Sequence, residues 1–109
     1  MDRELKHRVA ANEAVLREVN EGIERGQWPG EENQAIGFRC ECARLGCNTM
    51  VELTVADYER VRSHPRRFVI VPGHELPEAE DIVESEPGYV IVEKRDQAGE
   101  VAEDTDPRG

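Results

Sequence analysis

The stretch GFRCECARLGCNTMVELT, residues 37–54, holds all three cysteines of the chain, Cys40, Cys42 and Cys47, within eight positions. Three thiols cannot all pair with one another as disulfides. In an extended segment, side chains two apart leave the backbone on the same side, so Cys40 and Cys42 present their sulfurs to one point while Glu41 faces the other way. Ala43-Arg44-Leu45-Gly46 then turns the chain, with Gly46 suited to a positive φ. Met50–Thr54 returns as a strand with Val51, Leu53 and Val55 on one face. The stretch predicts a β-hairpin that gathers three sulfurs at its closed end.

Gathered thiolates repel one another, and a divalent cation of borderline softness removes that cost by coordinating all of them. Zinc is the expected ion, and a closed structural site requires a fourth ligand, which histidine commonly supplies. Of the three histidines, His74 follows a strand and the Pro72-Gly73 turn and is the first choice. His64, at the end of a short helix, is the alternative; His7 is read as solvated on an N-terminal helix, and an acidic residue, water or a ligand from a second chain are the remaining candidates. A C-x-C-x4-C spacing is less specific than paired C-x-x-C knuckles, so buried thiols without metal and redox-active thiols stand as competing readings.

Working outward, Leu5, Val9, Leu16, Val19 and Ile23 recur in an alternating four-three spacing with Asn12 filling the gap, which predicts an amphipathic helix over residues 1–26. These five apolar residues form a seam that either lies on the chain's own domain or docks a protein partner, a second copy included. Residues 27–36 read as a linker, with Trp28 placed to anchor the helix. Beyond the hairpin, Thr54 caps a short helix whose inner face carries Tyr58 and Val61. Pro65 ends that helix, because it disfavours helical geometry at the residue before it. Phe68–Val71 and Tyr89–Val92 read as two further strands, separated by an acidic segment with a helical turn between Pro77 and Ser85. Residues 37–95 thus form a small zinc-stapled α+β domain, and 96–109 read as an acidic disordered tail.

At 109 residues and 38% hydrophobic, the chain supports one small core, and a staple would help it. Its formal charge of -10 divides unevenly into -2 over residues 1–39, +1 over 40–71 and -9 over 72–109. That field opposes nucleic acid and anionic membrane surfaces. With no long apolar run and no secretory leader, the expectation is a cytoplasmic protein, where clustered cysteines bind metal or react more often than they form structural disulfides. Arg60, Arg62, Arg66 and Arg67 form a basic island that either balances the acidic C-terminal part or binds an anionic ligand.

No phosphate-binding loop, H-E-x-x-H helix, nucleophile elbow or deaminase signature is present. The favoured function is a non-enzymatic zinc-binding module with a regulatory or protein-interaction role. A redox-responsive zinc switch is the second reading, with Arg39 and Arg44 flanking the thiolates. A zinc-dependent hydrolase, with Glu41, Glu75 or Asp57 as its general base, is the third. Through FRCECARLGC, LTVADYERVR, FVIVPGHE, YVIVEK and the leading ANEAVLREVNEGIE, the chain resembles a group of short actinobacterial proteins carrying a Phe-x-Cys-x-Cys stretch and a Pro-Gly-His turn. The resemblance implies His74 as a ligand and carries no activity with it.

Overall fold

The computed structural model describes residues 2–108; Met1 and Gly109, the outer ends of the first and last segments predicted above, lie outside them. Helix α1 spans Arg3–Arg25, with the Asp2 carboxylate accepting from the Leu5 N–H at 2.8 Å. Strands β1 (Ala35–Arg39) and β2 (Met50–Thr54) form an antiparallel hairpin in which Phe38 lies opposite Val51. Thr54 caps α2 (Val55–Arg62), its hydroxyl accepting from the Asp57 N–H at 3.0 Å. Strands β3 (Arg67–Ile70), β4 (Glu80–Glu86) and β5 (Tyr89–Lys94) make an antiparallel sheet in the order β3-β5-β4, followed by α3 (Asp96–Asp104). The architecture is α+β, and no helix is long and apolar enough to cross a membrane.

Alternation along β3 and β5 gives the second sheet two buried faces. Val69, Tyr89 and Ile91 meet the hairpin and α2 through Phe38, Val51, Leu53, Tyr58 and Val61. The Phe38 and Tyr58 rings stack there with centroids 4.4 Å apart. On the other face Phe68, Ile70, Val90 and Val92 pack with Cys40, Cys42 and Ala102. The cysteines are therefore part of the core as well as of a polar cluster.

Three expectations are corrected. The acidic segment read with a helical turn between Pro77 and Ser85 keeps a turn at 77–79, where the Glu80 N–H donates to the Leu76 carbonyl at 2.9 Å. It then runs into a third strand of this sheet, β4, an edge strand in which Glu80 is buried, Asp81 and Glu86 face solvent, and a bulge falls between Ile82 and Glu84. The segment read as a disordered tail contains α3, which turns Ala102 into the core and leaves its acids outside. The presumed linker holds the start of β1, and Trp28 does not anchor α1: it is 76% exposed.

Helix α1 lies along its own chain. Val9 and Leu16 are buried, Leu5 and Ile23 are half-buried, and Val19 is exposed. Most of the buried face is polar: Glu13, Arg17, Asn20 and Glu21. The Arg17 guanidinium donates to the carbonyls of Pro65 (2.9 Å) and Ala102 (2.7 Å) and lies 4.3 Å over the Phe68 ring. Glu13 accepts from Lys94 Nζ at 2.7 Å, and the same ammonium pairs with Glu80. Glu21 accepts from Arg62 Nε at 2.9 Å. The apolar seam is thus a minor part of what docks the helix.

Candidate metal centre

The outer edge of β3 would leave its peptide groups unpaired, and the C-x-C segment supplies their partners. The Glu41 N–H donates to the Val69 carbonyl at 2.8 Å, the Val69 N–H donates to Glu41 Oε1 at 3.1 Å, and the Val71 N–H donates to Cys40 Sγ at 3.2 Å. Residues 40 and 41 therefore stand in for a further strand. The extended backbone this demands sends Cys40 and Cys42 to one side and Glu41 to the other, as the alternation of side chains dictates.

Cys42 leads into the turn, where the Cys47 N–H donates to the Arg44 carbonyl at 3.1 Å and Gly46 takes φ 84°. Cys47 is carried back toward the first two sulfurs. On the opposite side, the chain leaves β3 through Val71 and turns at Gly73, φ 92°, with the His74 N–H donating to the Val71 carbonyl at 3.0 Å. The Arg44 guanidinium donates to the Gly73 carbonyl at 2.8 Å, joining the two turns. The Glu75 carboxylate accepts from the Gly73 N–H at 2.9 Å and so braces the histidine turn.

The result is a four-residue cluster in which one donor atom each from Cys40, Cys42, Cys47 and His74 lies within 4.8 Å of all the others. His74 Nδ1 is 3.7 Å from Cys40 Sγ and 3.8 Å from Cys47 Sγ. A tetrahedral ion at about 2.3 Å from sulfur and about 2.0 Å from nitrogen sets such atoms roughly 3.5 Å apart, so the donors stand close to the spacing that zinc imposes. Cys40 and Cys42 are buried, while Cys47 and His74 are half-buried. All three cysteines are free of disulfide bonds.

The sulfur electrostatics favour a ligand set. The hydrogen bond between the Cys40 and Cys42 thiols, with burial second, pushes Cys40 well above the ordinary thiol range. The same hydrogen bond holds Cys42 down to about 4, and the Arg44 N–H, His74 and Cys47 help it against burial. Sulfurs crowded in this way are a site at which a divalent cation can replace protons.

The other residues singled out above are placed elsewhere. His64 and His7 are exposed and belong to no such cluster among the described residues. Glu41 is fully buried; burial raises its carboxyl above the ordinary range, against hydrogen bonds from Tyr58, Asn20 and the Val69 N–H. Asp57 pairs with Arg60 at 3.6 Å, and Glu75 is held by Gly73. Each arginine of the basic island pairs within the chain: Arg60 with Glu84, Arg62 with Glu21 and Asp106, Arg66 with Glu103 and Arg67 with Glu93. Arg62 cannot serve as a surface anion site, because its side chain is wholly buried.

A groove of about 610 Å³ lies between α1, α3 and the end of β5, and its lining includes none of the four clustered residues. Asn20, which grips the residues on either side of Cys40, was not legible as part of the site. Its only signal was a polar residue beside the apolar seam. Comparison with protein-family models, with curated proteins and with solved structures returned no match.

Proposed function

We propose that the chain is a non-enzymatic module stapled by zinc, with Cys40, Cys42, Cys47 and His74 as the ligands and a regulatory or protein-interaction role. The mutual approach of four donor atoms to within 4.8 Å carries this reading. Four protein ligands fill a tetrahedral shell, which is the pattern of structural rather than catalytic zinc. Each carboxylate proposed as a hydrolytic base is held by other groups, and the groove between α1, α3 and the end of β5 lies away from the cluster.

The interaction role is supported by apolar side chains left outside the fold: Val15 and Val19 one turn apart on α1, and Trp28 just beyond it. A partner lost on Val15→Glu and Val19→Glu, with the fold intact, fits this role; binding unchanged by both removes α1 from it.

Elemental analysis of protein purified without a metal-affinity tag tests the metal reading. One equivalent of zinc per chain, with loss of the folded circular dichroism signal on chelation, is expected. A metal-free protein with an unchanged spectrum overturns it. A second reading, redox release of the ion, rests on the half-buried position of Cys47. Zinc release by dilute hydrogen peroxide, with Cys47 modified first, distinguishes it from a purely structural site.

A further inference from the structure

Glu41 sits between two of the clustered cysteines and points away from them into the interface with α1. Its Oε2 accepts from the Tyr58 hydroxyl at 2.6 Å and from Asn20 Nδ2 at 2.9 Å. Asn20 makes two more hydrogen bonds, donating to the Arg39 carbonyl at 3.0 Å and accepting from the Arg39 N–H at 2.7 Å. One fully buried side chain on α1 therefore holds the residues on both sides of Cys40.

We propose that Asn20 is a positioning residue for the metal centre. By gripping Arg39 and Glu41 it fixes the strand-like backbone that aims Cys40 and Cys42 at one point, so that docking of α1 and metal binding are linked equilibria. The inference rests on the zinc reading above. Outer groups that orient ligands typically change metal affinity by about 10- to 100-fold when removed. Linkage is reciprocal, so the factor by which a docked α1 tightens the metal is the factor by which the metal tightens α1.

The test compares three variants in the full chain. Asn20→Ala removes all three hydrogen bonds. Tyr58→Phe removes one bond to Glu41 while keeping a ring beside Phe38. Leu16→Ala removes apolar burial from the same helix and none of these hydrogen bonds. Zinc affinity is measured by competition with a chromophoric chelator, the cobalt(II) thiolate spectrum reports geometry, and urea unfolding ranks stability. Asn20→Ala is expected to weaken zinc by about 10-fold or more and to shift the cobalt bands, with Tyr58→Phe smaller in the same direction. Leu16→Ala, at a comparable loss of stability, is expected to leave both readouts near wild type. In the wild type, zinc removal should speed amide exchange in α1.

Equal zinc affinity and an identical cobalt spectrum in Asn20→Ala and wild type overturn the inference. So does a loss in Leu16→Ala as large as in Asn20→Ala, because the effect is then one of stability alone. A wild type that takes up neither zinc nor cobalt overturns the metal reading, and the linkage falls with it.

Discussion

The hairpin end of the molecule and the face beneath α1 are held by different chemistry. At the hairpin, three sulfurs and an imidazole converge from two turns 27 residues apart, Cys47 to His74, and the surrounding backbone is braced by peptide hydrogen bonds. Under α1, Arg17, Asn20, Glu13 and Glu21 reach partners up to 87 residues away in the chain. A cation can replace many weak contacts at the first end, because each coordinate bond is strong and the ligands are few. The second end depends on pairing its buried polar groups, since an unpaired one costs the full desolvation penalty, and Arg17 Nε and Arg62 Nη1 are buried there without a partner. The core is thus closed on one side by a cluster able to hold a metal and on the other by buried charge that is largely paired.

The largest effect that sharpens this contrast is loss of a ligand. Cys42→Ala or complete chelation is expected to abolish cooperative unfolding of residues 38–93, because structural zinc in small peptides contributes an apparent ~10 to 16 kcal/mol. Hydrogen exchange there that stays protected after metal removal would falsify the division of labour.

Next comes Arg17→Ala, which leaves the Pro65 and Ala102 carbonyls without donors and opens space beside Phe68. A loss of about 3–5 kcal/mol in urea unfolding is expected. Arg17→Lys should recover only part of it, since an ammonium cannot span both carbonyls as a fork does. Full recovery would mean that the charge alone matters.

Thr54→Ala removes the cap of α2 from the Asp57 N–H and should cost about 1 kcal/mol without altering metal affinity. A change in zinc binding would show that α2 takes part in the first region as well.

A further effect concerns pH. Burial, helped by Glu80 and opposed by Lys94, raises the Glu13 carboxyl from its ordinary 4.5 to about 7. Between those values the folded chain holds a proton that the unfolded chain has released. This group's contribution to stability is therefore complete below about 4.5 and is lost as pH rises through about 7. Glu13→Gln should flatten that part of the stability curve, read from urea midpoints at pH 5 and 8. An unchanged slope assigns the pH dependence to other groups.

The same contrast explains what was legible in the sequence. Cysteine is scarce and its spacing is meaningful, so the hairpin, the sulfur cluster and the choice of His74 over His64 could be read from local geometry. The Thr54 cap and the faces of β2 and α2 follow from short-range rules of the same kind. Arg17, Glu13 and Glu21 could not be read, because charged residues on a helix ordinarily face water and nothing local announces a partner dozens of residues away. Helix α3 was hidden by similar camouflage: its acids dominate the composition, while only Ala102 and Gly99 are buried. Strand β4 carries four acids in seven residues and lacks the continuous β-branched and aromatic run that marks β5.

The pairing of β3 with residues 40 and 41 has a consequence for handling the protein. A strand whose flank is closed by a ligand-bearing segment becomes a template for other chains once that segment lifts away. Material stored with strong chelators should accumulate fibrillar or amorphous particles in proportion to its concentration, and thioflavin fluorescence with light scattering would record that growth. Replenishing the ion before the first particles form should prevent it.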